Sequence, residues 1–85
     1  MNNIELKKAS ELSEHFEVGD TWVLVEDEWN NLHPWPAITT QREIEDMATT
    51  FAICWIDVKA IYFNKTNWDK YMAAQVGVEK VIVNG

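Results

Sequence analysis

A single cysteine, Cys54, excludes an intramolecular disulfide, so the fold rests on packing or on a partner chain. The lone thiol points to a reducing compartment. It lies inside an apolar run, which predicts a buried structural thiol rather than a nucleophile. Glycine and proline are also scarce. Gly19, Gly77, Gly85, Pro34 and Pro36 serve as punctuation, and three glycines cannot build a phosphate-cradling loop before a helix. Long apolar runs are missing. The longest, Phe51 to Phe63, is too short to cross a bilayer and carries Asp57 and Lys59. The first eight residues have no apolar stretch behind Lys7 and Lys8, so they do not read as a secretory signal. The expectation is a soluble, cytoplasmic protein that does not engage a membrane.

Basic residues are few: seven Lys and Arg stand against 14 Asp and Glu, for a net charge of −7. The asymmetry is local. From Glu11 to Asp46, ten acids face only Arg42, while the segments on either side are each close to neutral. Direct binding to a nucleic-acid backbone needs a basic surface and is disfavoured. A basic protein surface is the natural complement. Acidic charge that merely keeps a small protein soluble is the plainer alternative.

What is present is enough for one core. The chain has 85 residues, 47% of them hydrophobic, and reads as one α+β domain over residues 1–85. Five Trp are many for this length. Their plainest use is to build the core; the sharper use is that one or two stand exposed as binding anchors.

Residues 4–16 carry Ala9, Leu12 and Phe16 at helical spacing, with a brief extended start at Ile4–Leu6. Gly19 and Asp20 make a turn, and Thr21–Val25 reads as a strand closed by Glu26, Asp27 and Glu28. Residues 30–36 read as a loop, because Pro34 and Pro36 rule out helix and disfavour a paired strand. Thr40 and Glu43 form a capping box for a helix through Ile44, Met47, Ala48 and Phe51. Glu43, Glu45 and Asp46 lie near the positive end of its dipole. Residues 51–58 fit either a continuation of that helix or a buried strand, and Thr49 and Thr50 tilt the reading to strand. Thr66 and Asp69 open a short helix that stops at Gly77, and Val78–Val83 reads as a last strand. The predicted fold is therefore α+β, a small mixed or antiparallel sheet packed with two or three short helices.

Recognisable reaction chemistry is sparse. His15, His33 and Cys54 are far apart and in no ligand spacing, so neither metal nor cofactor is expected. Ser10 and Ser13 have no motif around them. The expectation is not an enzyme. Val18-Gly19-Asp20-Thr21-Trp22-Val23, followed by His33-Pro34-Trp35-Pro36-Ala37-Ile38, resembles the opening of a PWWP domain. The motif is one Trp short, its separation from Gly19 is longer than the family's, and Glu26-Asp27-Glu28 stands where that family is basic. The likeness covers about a third of such a domain and carries no function here.

The segment that reads as a site is the acid–aromatic stretch from Glu26 to Trp35. It joins Glu26, Asp27 and Glu28 to Trp29, His33 and Trp35, with Glu43, Glu45 and Asp46 adding charge from the helix start. Loops on a rigid scaffold commonly carry binding. The plainer alternative folds Trp29 and Trp35 back over the core and leaves the acids solvated. The leading expectation is a small acidic inhibitor or adaptor occupying a basic surface of a larger protein, in one form a nucleic-acid channel. Its size and charge are of the type seen in phage-encoded anti-defence proteins, anti-CRISPR proteins among them, and in immunity proteins for nuclease toxins. The second expectation is a homo-oligomeric assembly subunit pairing through Ile53–Phe63 and Val78–Val83.

Overall fold

The computed structural model of the chain describes residues 4–12, 19 and 21–84, with side chains described through Gln75. Four strands and two helices follow in the order β1 (Glu5–Lys8), β2 (Trp22–Asp27), β3 (Leu32–Pro36), α1 (Gln41–Ile53), β4 (Val58–Phe63) and α2 (Lys65–Asn84). The strands form one sheet in the order β1-β4-β2-β3. β1 runs parallel to β4, and the other neighbours are antiparallel, so the sheet is mixed. The class is α+β, as the sequence predicts.

Register divides the sheet into two faces. Val23 and Val25 align with Trp35 and His33 on one side, and Val25 with Ile61 on the other. Because side chains alternate along a strand, these residues share a face with Leu6 and Phe63. Both helices pack there. Val23, Val25, Ile38, Met47, Val58, Ile61, Phe63 and Tyr71 form the buried core. Phe63 sits among Trp68 and Tyr71 of α2, with ring centroids 5.8 and 5.5 Å away. The opposite face carries Trp22, Leu24, Glu26 and Tyr62. An irregularity between Glu26 and Asp27 re-aims β4, so that Val58 joins the core side.

Several segments differ from the sequence expectation. Glu5–Lys8 is a strand, and only a 3-10 turn follows at Ala9–Glu11. The ladder to β4 outweighs the helical spacing that begins at Ala9; residues 13–18 of the expected helix lie outside the described residues. Leu32–Pro36 is a paired strand rather than a loop. It is tolerated because β3 is an edge. Ala37 donates its amide to Thr21 across the pair, so Pro34 and Pro36, three and one positions away, place their nitrogens on the outer side and cost no ladder bond.

α1 begins as predicted. The Thr40 hydroxyl accepts from the Glu43 amide at 3.2 Å, while Glu43 reaches back to the Thr39 and Thr40 hydroxyls at 2.9 and 3.1 Å. It does not change to strand at Thr49 but runs to Ile53. Thr50 turns its hydroxyl onto the Asp46 carbonyl at 2.9 Å, which lets a β-branched residue stay in the helix. Cys54, expected in a buried strand, is the exposed cap residue of that helix.

α2 starts two residues earlier than expected, with Asn64 accepting from the Asn67 amide at 2.8 Å. It passes through Gly77 and replaces the expected C-terminal strand at Val78–Val83. A glycine inside a helix costs only about 1 kcal/mol and β-branched residues a few tenths each, too little to end a long helix. No helix of the described residues is long and apolar enough to cross a membrane.

One core polar group stands out. Burial pushes the pKa of Tyr71 up while the Gln41 side chain pulls it down, yet the hydroxyl meets no partner at hydrogen-bonding geometry among the described residues. Tyr71→Phe is therefore expected to be neutral or to stabilise by up to ~1 kcal/mol. A urea midpoint that stays or rises, with unchanged slope, would show it.

Candidate functional site

Five tryptophans were expected chiefly in the core, and none is among its fully buried residues. Trp35 and Trp68 are half-buried against it. Trp22, Trp29 and Trp55 are exposed, the last at 90%. Trp29 and Trp55 belong to two turns at the same end of the sheet.

The first turn joins β2 to β3. Asp27 builds it. The carboxylate is buried at 2% exposure, and one oxygen accepts from the amides of Trp29 and Asn31, both at 2.9 Å. The other oxygen lies 2.8 Å from His33 Nε2. The His33 bond, followed by those two amides, holds the Asp27 pKa below its ordinary value against the opposing effect of burial. Asn30 takes the left-handed conformation at φ 68°, which asparagine tolerates. Trp29 is left at the tip, 60% exposed.

The second turn ends α1. Ile56 donates to the Phe51 carbonyl at 3.1 Å and Trp55 to Ala52 at 2.9 Å. This is the Schellman pattern of helix termination. Its C′ position requires a left-handed residue, usually glycine, and here Trp55 occupies it at φ 62°. The ring projects into solvent next to Ile53, itself 74% exposed.

The two turns are tied together. The Glu28 amide donates to the Asp57 carbonyl at 3.0 Å, and the Asp57 amide donates to the Glu28 carboxylate at 3.3 Å. Lys59 reaches Asn30 Oδ1 at 2.8 Å. Trp29, Ile53 and Trp55 thus stand on one braced platform that also carries Glu28 and Asp57.

The residues singled out from sequence do not all converge. Glu28 and Trp29 lie on the platform. Asp27 and His33 are its internal brace. Trp35 packs on Phe51 at 5.3 Å and His33 on the same ring at 5.2 Å, so both serve the joint between β3 and α1. Glu26 lies on the sheet face away from the helices and accepts from the Tyr62 hydroxyl at 3.2 Å. Glu43 is occupied at the α1 cap, while Glu45 and Asp46 are exposed on that helix. Trp55, Ile53 and Asp57 are not among the residues singled out, because residues 51–58 fit either a continued helix with Trp55 inward or a buried strand, and neither reading exposes that tryptophan. A C′ signal was hard to see there, since no glycine marks it.

Among the described residues, no group of three or more His, Cys, Asp and Glu is placed to hold a metal ion; His15 lies outside them. Comparisons of the chain with protein-family models, curated proteins and solved structures return no match, so the partial likeness to the PWWP opening gains no support.

Proposed function

We propose that the protein is a small binding module, an inhibitor or adaptor, that docks on a larger protein through the Trp29–Trp55 platform. Trp55 carries the reading. A stability-driven sequence has two reasons to avoid it: a large apolar ring left in water, and a non-glycine residue at positive φ. Strained positions persist where function uses them, and exposed Trp is a typical anchor at interface hot spots. Glu28 and Asp57 at the base of the rings, with the surplus of acids between residues 11 and 46, favour a partner surface with an apolar pocket and Lys or Arg around it.

Glu26 and the α1 acids sit on opposite sides of the sheet. That separation favours docking by one end over mimicry of a continuous row of phosphates. The self-assembly alternative loses its named route. β4 is bonded on both sides, by β1 and β2, and Val78–Val83 is helical.

The test uses opposite signs. Trp55→Gly is expected to stabilise the protein by about 1 kcal/mol, because glycine fits the C′ conformation without penalty. The same change, and Trp29→Ala, should weaken binding to a partner captured from host lysate by roughly 30-fold or more each. Raising salt should weaken the wild-type complex further. A stabilised Trp55→Gly variant that binds as well as wild type would remove the platform from the interface.

A further inference from the structure

Beside the platform, a shallow groove of about 260 Å³ runs between α1 and the start of β1 and β4. Ile4, Ala48, Thr49, Ala52, Ile56 and Val58 supply its apolar lining, and Glu45 and Asp57 the polar one. No cation lines it. The groove is continuous with the platform, since Ile56 and Asp57 follow directly on Trp55.

We infer that this groove receives a short segment of the partner in which apolar side chains are flanked by Lys or Arg. The inference rests on the partner-binding reading above and deepens it. Three observations support the choice of occupant. The helix presents Ala48, Thr49 and Ala52 at helical spacing, all small, so another backbone can approach closely. The volume is below the roughly 300–1,000 Å³ of small-molecule sites and suits one or two side chains. Neither the Glu45 nor the Asp57 carboxylate has a hydrogen bond or ion pair among the described residues. Charge complementarity therefore selects a cationic flank, and the small apolar floor selects an aliphatic anchor. The groove would thus read the partner's sequence, while the tryptophans supply area.

The probe is a tetrapeptide, acetyl-Lys-Leu-Leu-Arg-amide, titrated into the labelled full chain and followed by amide chemical shifts. The controls are acetyl-Glu-Leu-Leu-Glu-amide and acetyl-Lys-Ser-Ser-Arg-amide. The expected result is saturable shifts at Ala48, Ala52 and Ile56 with the first peptide only. Glu45→Gln with Asp57→Asn should weaken them about fivefold, in keeping with exposed ion pairs, and Ala48→Leu should abolish them by filling the groove. Absence of saturable shifts, an equal response to the acidic peptide, or indifference to the double carboxylate change would overturn the inference. Trp55→Gly separates the two readings. If it abolishes partner binding while the peptide fails to bind even wild type, the groove falls and the platform stands. If it leaves partner binding intact while the peptide binds as described, the groove stands without the platform.

Discussion

Asp27→Ala is expected to lower the thermal midpoint by on the order of 10 °C, more than any other change at the platform. The carboxylate is the shared acceptor for the Trp29 and Asn31 amides and the partner of His33. Truncation removes the shared partner of all three groups at once and leaves a void where the buried carboxylate sat. Asp27→Asn keeps an oxygen for the two amides and should cost less. The effect depends on pH in a defined direction. Because the folded pKa lies below the ordinary 3.8, the stabilisation is complete above that value and is lost as pH falls through the folded one. Wild type should therefore lose stability on acidification below about pH 4, and the Asp27→Asn variant should lose less over that span. Parallel acid profiles would show that the Asp27 charge is not what holds the turn. Loss of the turn should also release Trp29, so partner binding should fall even where the variant remains folded.

Phe63→Ala is expected to cost about 3–5 kcal/mol, against a total of roughly 5–10 kcal/mol for a chain of this size. Phe63 is fully buried at the end of β4, where its ring meets both Trp68 and Tyr71. α2 is also held by Asn67, which donates to the Trp22 carbonyl at 2.9 Å, so the variant should lose the ring packing and loosen the helix. Urea unfolding monitored by tryptophan fluorescence would register a collapsed midpoint. A loss below 1 kcal/mol would mean that α2 is held elsewhere.

The fold was legible where local chemistry and tertiary packing agree. Thr40 and Glu43 mark the α1 start, and the β-rich Thr21–Val25 segment becomes β2. It was illegible where the deciding interaction is remote. Nothing near Glu5 indicates that Ala60 pairs with it. Pro34 and Pro36 argue against a strand until the edge position of β3 is known. Residues 51–55 have the composition of a strand, yet the helix hydrogen bonds persist to Ile53 and end on a tryptophan where glycine is the usual signal. For the same reason half of the site was missed. Trp29 was visible as an aromatic beside acids, whereas Trp55 lay hidden in an apolar run. Burial also redistributed the roles of the acids, since Asp27 braces the turn that Glu28 and Trp29 present.

The position of β1 bears on the order in which the chain assembles. β2 and β3 meet through a turn of a few residues, but Glu5 pairs with Ala60, 55 positions later. During synthesis β1 leaves the ribosome long before β4, its neighbour among the described residues, exists. Closing that loop is slow relative to local hairpin formation, so β1 is expected to pair after the β2–β3 hairpin has formed, and its arrival completes the groove wall contributed by Ile4. A chain arrested before β4 emerges would carry the Trp29 turn but neither the Asp57 tie beneath it nor the groove beside it.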